Sequence, residues 1–458
     1  MLVSSPSVRR VARDALLLVV ALLSSAALSA AERPNILVFY LDDMGWAQPG
    51  CYGGKLAPTP NIDALAAGGV RFTNGYVSAC VCAPSRVGLM TGRYQQRSGH
   101  DANTTNRAGS ELVASETTMA QRLKAAGYAT GITGKWHLGG GPEFLPVARG
   151  FDVSMGTISN LGEGNGPAFF HGGELLKELP GAPITTPVFA REAVKFIEAN
   201  RSQPWFLYLP FNAVHSPHVA TDEWLDKFGK LDKRLRNYAA AIGEVDAAIG
   251  TVMEKLRELG QEENTLVFCI SDNGGAYQEA EMGGLRGHKW LVWEGGIRVS
   301  WLAQWKGRIP AGQVVGTPVV QLDVLPTALA AAGVETKSEW HLDGVNLLPM
   351  LEGRDKSLDR EALYWRFGVQ YAVRQGDWKF VKAAKDMTPM LVNLASDPGE
   401  QNDLTAREPE KAKQLQALWD KWNAQMQPPR WEDKRWNGEE ARKEQKQNKN
   451  KRKKKAAT

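Results

Sequence analysis

The chain has 458 residues, 43% of them hydrophobic and 23% charged, a globular composition that excludes a mainly disordered or collagen-like protein. Its formal charge of +5 sits at the ends: Arg9, Arg10 and Arg13 against Asp14 give +2 in residues 1–31, eleven Lys/Arg against three Glu give +8 in residues 434–458, and −5 remains for residues 32–433. The folded body is therefore slightly acidic, and a nucleic-acid partner is not implied.

In chain order, the three arginines precede an apolar run at 15–23 and small residues at 24–31, the pattern of a cleaved export signal. The run is shorter than the roughly 20 apolar residues of a membrane span, and no later segment is apolar enough to span. The mature chain is expected to be exported, periplasmic or secreted. Four strands are then expected. Residues 35–41 run into Asp42-Asp43, 128–133 into Gly134-Lys135-Trp136-His137, 205–211 into His215 and His218, and 265–270 into Ser271-Asp272-Asn273-Gly274. Helices are expected at 118–126, opened by a capping box at Thr118 and Gln121, and at 189–199 and 238–259. This alternation predicts an α/β fold with a large, mostly parallel sheet flanked by helices. Short strands at 362–367, 371–374, 378–383 and 390–394, then a helix at 409–426, predict a smaller C-terminal α+β subdomain with an antiparallel sheet. The expected organisation is a signal peptide (1–31), a catalytic domain (32–355), the subdomain (356–430) and a basic, disordered tail (431–458). The four cysteines, Cys51, Cys80, Cys82 and Cys269, are too few for a disulfide scaffold, and spacing does not say whether any are bonded.

Parallel sheets bind ligands at the carboxyl ends of their strands, and all four ends here deliver Asp, Asn, Lys or His. Alone, each has an ordinary reading: Asp-Asp can cap a helix, Asn-Gly can make a tight turn, and His215 and His218 can be surface loop residues. Together they point to one site. Asp42, Asp43, Asp272 and Asn273 offer oxygen ligands suited to Ca²⁺ or Mg²⁺ and poorly suited to Zn²⁺. Lys135, His137, His215 and Lys289 add positive charge and proton-transfer groups, which calls for an anionic substrate.

The segment Cys82-Ala83-Pro84-Ser85-Arg86-Val87-Gly88-Leu89-Met90-Thr91-Gly92-Arg93 resembles the C-x-P-S-R…T-G-R element of the sulfatase family, on the alkaline-phosphatase-like fold. Its one local departure is Met90 where Leu is usual. The resemblance extends from Arg33-Pro34-Asn35, through Thr59–Asp63 and Trp293–Arg298, to Asp397-Pro398-Gly399-Glu400. It implies that Cys82 is oxidised to formylglycine by a formylglycine-generating or radical maturation enzyme. It also implies that Asp42, Asp43, Asp272 and Asn273 bind a divalent cation, usually Ca²⁺, which the modified Cys82 also coordinates. Arg86 would hold the formylglycine hydroxyl, Lys135 and His137 would flank sulfate and aldehyde, and His215 and Lys289 would contact the ester oxygen and sulfate. One hydroxyl of the hydrated aldehyde would attack sulfur as the alcohol leaves, protonated by His215 or Lys289. Deprotonation of the second, by His137, would then expel sulfate and restore the aldehyde. A serine has no second hydroxyl, so Cys82→Ser is expected to turn over at most once.

The implied substrate is a sulfate ester, most readily a sulfated saccharide. Selectivity is expected from loops around the crevice, with His100, His218, Trp290, Trp365 and Arg366 as candidates, each of which reads first as a structural residue. Two alternatives stay open: a phosphoester or phosphonate monoester hydrolase on the same fold, and a non-catalytic protein that binds sulfated glycan through its basic tail.

Overall fold

The structure is a computed structural model, and it describes residues 33–104, 109–161, 168–179, 182–276, 279–355 and 357–433. Residues 1–32, with the expected export signal, and the basic segment 434–458 lie outside the described residues. In chain order the strands are β1 (Asn35–Leu41), β2 (Val70–Phe72), β3 (Gly75–Tyr76), β4 (Ala129–Lys135), β5 (Val153–Thr157), β6 (Phe169–His171), β7 (Glu174–Leu176), β8 (Trp205–Pro210), β9 (Thr265–Ser271), β10 (Trp301–Gln304), β11 (Gln313–Val315), β12 (Val319–Val320), β13 (Leu363–Phe367), β14 (Gln370–Gln375), β15 (Trp378–Lys382) and β16 (Met390–Asn393).

Ten strands form one sheet in the order β11-β2-β10-β9-β1-β8-β4-β5-β6-β7. The centre, β9-β1-β8-β4-β5, is parallel. Here every residue of β1, β8 and β9 is buried, as expected of strands covered on both faces. The flanks differ: β10 runs antiparallel to β9 and β2, and β5-β6-β7 is an antiparallel meander. The sheet is therefore mixed, with β11 parallel to β2 at one edge and the antiparallel β6-β7 hairpin at the other.

Alternate residues of β1 serve the two faces. Ile36, Val38 and Tyr40 belong to one core, and Leu37, Phe39 and Leu41 to the other. The first face is covered by helices Cys82–Thr91, Met119–Ala125 and Val324–Ala331, the second by Thr186–Ala199 and Lys233–Glu258. The capping box at Thr118 and Gln121 is present. The second sheet, β13-β14-β15-β16, is antiparallel throughout. Its Val373, Phe380 and Leu391 pack on Ala412 and Leu415 of helix Pro409–Asn423. Its other face, with Trp365, Phe367, Ala372 and Val381, packs on Tyr76, Trp293 and Val320 of the main body. Among the described residues no helix is long and apolar enough to cross a membrane, and all four cysteines are free thiols.

Candidate active site

The four strands expected to end in chemistry are neighbours, in the order β9-β1-β8-β4. Backbone pairing carries on past the strand ends: the Asp272 N–H donates to Leu41 O (2.8 Å), and the Asp42 N–H to Ala213 O (3.1 Å). The loops that follow β1, β8 and β9 are thereby held level. Asp43 and His137 both have left-handed backbones, φ 61° and 60°, a conformation uncommon outside glycine that clusters at functional sites.

Cys82 opens helix Cys82–Thr91, all ten residues of which are buried. Pro84 is tolerated because it lies in the first turn, where its missing N–H costs nothing. Gly92, φ 65°, ends the helix in a left-handed cap. Val81 gives the helix no side-chain cap, and the Ala83 N–H donates instead to Asn103 Oδ1 (3.0 Å). The positive end of this helix therefore faces the crevice through Cys82.

Cys82 Sγ lies 3.3 Å from Asp42 Oδ1 and 3.9 Å from Asp43 Oδ1. One ligand atom each from Asp42, Asp43, Cys82 and His215 falls within 4.8 Å of the others. Lys135 Nζ donates to Asp42 and to Asn160 Oδ1, and Lys289 Nζ to Asp43 Oδ1 (2.7 Å) and Oδ2 (2.8 Å). Arg86 Nη2 donates to Asp272 Oδ2 (2.8 Å), and Arg86 Nη1 to Lys135 O (3.1 Å). Asp272 Oδ1 accepts the Asp43 N–H (3.1 Å). Asn273 Nδ2 donates to Asp43 Oδ1 (2.7 Å), leaving Asn273 Oδ1 buried with no partner. His215 Nδ1 lies 2.6 Å from Ser216 O; a carbonyl only accepts, so Nδ1 carries a proton, while Nε2 lies 3.5 Å from Asp43 Oδ2.

Titration follows from these contacts. Burial pushes the Asp42 carboxyl up, but Lys135, His215, Arg86 and Lys289 outweigh it and hold the group well below the usual carboxylate range. Burial and the neighbouring Asp42 charge raise Asp272 to about 7. Burial, then Lys135 and Arg86, keep the His137 imidazole neutral, and burial with Lys289 does the same for His215. Burial pulls Lys289 down, yet Asp43 more than compensates and keeps it charged. Burial, with Asp272 and Asp42, pushes the Cys82 thiol well up. The crevice thus prepares a neutral thiol, not a thiolate nucleophile.

A hard cation fits this donor set. Asp42 and Asp43 supply carboxylate oxygens at one point, and the unpartnered Asn273 Oδ1 is an oxygen left over beside them. Asp272 joins the group through Arg86 and the Asp43 backbone.

The structure brings Cys82, Arg86, Lys135, His137, His215, Lys289, Asp42, Asp43, Asp272 and Asn273 into one crevice. The expected selectivity residues divide. Trp290 is half-buried with Lys289 Nζ 5.3 Å from its ring centroid, and His218 lies edge-on to Tyr238 (4.9 Å). Trp365 is instead core: its Nε1 donates to Val77 O (2.7 Å) and its ring packs on Tyr76. Arg366 is consumed by Asp101, Asn423 and Gln427 O. His100 is buried edge-on to Trp431 and beside Thr104 and Arg430. These three join chain segments rather than face a substrate. Trp431, expected to open the tail, is likewise packed, its Nε1 donating to Asn103 O (3.1 Å). Asn160, which accepts from Lys135, carried no sequence signal.

Comparison with known proteins fixes what the crevice belongs to. The model of the family described as sulfatase matches residues 34–334. The chain belongs to the sulfatase family. A second model, described as the C-terminal region of N-sulphoglucosamine sulphohydrolase, matches residues 287–427. Human N-acetylgalactosamine-6-sulfatase is 36% identical over 380 residues, 76% of this chain and 72% of that protein. Human arylsulfatase A is 34% identical, covering 83% of this chain and 85% of that one. The structure of Ps i-CgsB in complex with k-i-k-neocarrahexaose superposes with a TM-score of 0.81 at 31% identity, over 87% of this chain and 95% of that one. The sulfatase is a sulfuric ester hydrolase, so the phosphoester hydrolase and non-catalytic readings give way, and the family implies a metal and a formylglycine.

Proposed function

We propose that this sulfatase is exported and removes sulfate from saccharide sulfate esters, using a formylglycine made from Cys82 and a Ca²⁺ or Mg²⁺ ion held by Asp42, Asp43, Asp272 and Asn273. The observation that carries the reading is the meeting of a neutral, buried Cys82 thiol with Asp42, Asp43 and an unpartnered Asn273 oxygen. Export rests on the pattern in residues 1–31. The saccharide rests on relatives: one is named for N-acetylgalactosamine-6-sulfate chemistry, and another was solved with a neocarrahexaose.

A hydrated formylglycine at position 82 would supply the nucleophilic hydroxyl, and a cation held by Asp42, Asp43, Asp272 and Asn273 would supply Lewis acidity. The chain's own groups do the rest. Arg86, fixed by Asp272 and the Lys135 carbonyl, holds the side chain at position 82 in place. Lys135 and Lys289 neutralise the sulfate oxygens. Lys289, kept charged by Asp43, donates a charge-assisted hydrogen bond to the leaving oxygen. His215 is neutral with its proton on Nδ1, which assigns that contact to Lys289 first. His137, also neutral, is the proton acceptor for release. Three acids (Asp42, Asp43, Asp272) face three fixed cations (Lys135, Lys289, Arg86), so a bound divalent ion leaves the crevice net positive, as an anionic ester requires.

The test is the mass of the peptide spanning Cys82 in protein from a host able to mature sulfatases, joined to sulfate release from defined sulfated saccharides. The expected result is a loss of about 18 Da at Cys82 and release that Cys82→Ala abolishes. An unmodified Cys82 in protein from the native source would overturn the formylglycine reading. Release from aryl sulfates but from no saccharide would overturn the substrate class.

A further inference from the structure

Lys289 reaches Asp43 from a segment, 286–293, that is neither strand nor helix and runs into the short helix Glu294–Ile297, so something must hold it there. The residue after it, Trp290, has a left-handed backbone, φ 71°, a genuine outlier for a side chain of that size. Both peptide groups of Trp290 are gripped. Its N–H donates to Cys80 O (2.9 Å), two residues before Cys82. Its carbonyl accepts from Gln370 Nε2 (2.9 Å), while Gln370 Oε1 accepts the Val292 N–H (3.3 Å).

Gln370 belongs to the first position of β14 and is fully buried. Its side-chain amide thus takes the place of a strand neighbour, pairing with the loop backbone on either side of Leu291. Other ties from the C-terminal part hold the same loop at its ends. Arg286 Nη1 donates to Glu400 O (2.6 Å), and the Glu294 N–H to Glu400 Oε2 (2.7 Å). Between those ends the main body holds the loop through the Lys289 N–H to Gly275 O (3.0 Å) and the Trp290 N–H to Cys80 O (2.9 Å), and among the described residues Gln370 adds the tie from the C-terminal sheet, next to the strained residue and one residue from Lys289.

We propose that Gln370 is a positioning residue: it fixes the left-handed turn at Trp290, and through that turn the C-terminal sheet sets where the Lys289 ammonium sits over Asp43. Lys289 is the group through which it acts, so its effect on rate rests on the role given to Lys289 above. Loss of Gln370 removes the donor to the Trp290 carbonyl and the acceptor of the Val292 N–H. The turn then relaxes toward ordinary backbone and withdraws Lys289.

The experiment compares Gln370→Met and Gln370→Glu with the parent chain, each alone and combined with Lys289→Ala. Gln370→Glu keeps the acceptor for Val292 and loses the donor to Trp290; Gln370→Met loses both. Expected is a fall in kcat/KM of about 10- to 100-fold for Gln370→Met, the scale for groups that orient a site, with a smaller fall for Gln370→Glu. In the Lys289→Ala background neither should cost more than about twofold, since residues that act as a unit are not additive. Amide hydrogen exchange supplies a readout independent of catalysis: protection should fall in 286–294 and hold in 33–43 and 265–273. Equal losses in both backgrounds, or unchanged exchange in 286–294, overturns the proposal. If the parent released sulfate from no ester, the proposed function would fail while the exchange result still decided the role of Gln370. If Gln370→Met does not fold, Gln370→Glu carries the same comparison.

Discussion

The crevice and the ion cluster beneath the C-terminal sheet are made from the same residue types, and both are buried. In the cluster, Lys379 Nζ lies between Glu294 Oε1 (2.9 Å) and Glu400 Oε1 (2.8 Å), Tyr76 Oη donates to Glu294 Oε2 (2.6 Å), and Arg374 donates to Tyr76. Every charge there faces a fixed opposite across the seam between the sheets, and the cluster holds two parts of the chain together. In the crevice the acids come from strand ends instead. Lys135, Lys289 and Arg86 converge on them, two residues have left-handed backbones, and Asn273 Oδ1 and His137 Nδ1 are buried with no partner. Buried charge alone does not mark a reacting site, and neither does a left-handed residue or a buried oxygen without a hydrogen bond, since Glu400 in the cluster has both (φ 53°, Oε1); what sets the crevice apart is a thiol and an imidazole converging with the acids at one point.

The comparison breaks most sharply at Asp43. Asp43→Ala strips Lys289 and Asn273 of their partner and removes a cation ligand. It should lower turnover at least about 10³-fold, at the upper end for one preorganised electrostatic group, as read by sulfate release per folded molecule. Chelation should do the same reversibly, with activity restored by Ca²⁺ or Mg²⁺ and not by Zn²⁺. Full activity in protein shown by elemental analysis to lack divalent ions would sink the cation reading. Lys379→Met is the matching change in the cluster. It leaves Glu294 and Glu400 buried without their ammonium and should cost about 3–5 kcal/mol of stability, seen in denaturant unfolding, while turnover of the folded fraction changes far less.

The four central strands were legible because strands buried on both faces read as unbroken apolar runs, and each runs straight into polar residues. Outer strands such as β2 and β10 have three or four residues, too few to show a period, and their direction is decided by what they pair with. Helix Cys82–Thr91 was illegible for a related reason: with all ten residues buried, it has no polar face to set a 3.6-residue rhythm. The metal and lysine set could be read from motifs, whereas Asn160 and Gln370 are single amides that matter only through the chain segments they meet in space. Trp365, Arg366 and His100 were candidates for selectivity, each with a structural reading set above it, because tryptophan, arginine and histidine suit a sugar. They suit a buried joint equally well, and residue type does not say which.

A pH series sharpens the contrast within the cluster. Burial, with the Glu294 charge adding and Lys379 opposing, raises Glu400 to about 7. Glu294 goes the other way, to about 2: burial lifts it, and Lys379, Arg374 and Arg298 more than reverse that. Between about pH 4.5 and 7 the folded chain keeps a Glu400 proton that the unfolded chain has lost, so this group takes stability away as pH rises through that window. Glu294 contributes stability above about 4.5 that is lost as pH falls toward 2. Glu400→Gln should remove the first slope, worth on the order of 3 kcal/mol, and leave the second. Unfolding free energies at pH 4.5, 6 and 7.5 would show it, and an unchanged slope would remove Glu400 from the account.

The smallest expected effect on catalysis is at Arg366, which lies in neither charge cluster. Its guanidinium forks onto Asp101 at 2.8 and 3.0 Å and also reaches Asn423 Oδ1 (2.8 Å) and Gln427 O (2.7 Å). A lysine cannot reproduce four such directed contacts, so Arg366→Lys should lose about 1–3 kcal/mol of stability, the scale of a hydrogen bond to a charged group. KM for a saccharide sulfate should stay within about twofold, because four of the five guanidinium N–H groups are already taken up by the joint. A tenfold rise in KM at unchanged stability would return Arg366 to the crevice and make the joint between the sheets part of the substrate site.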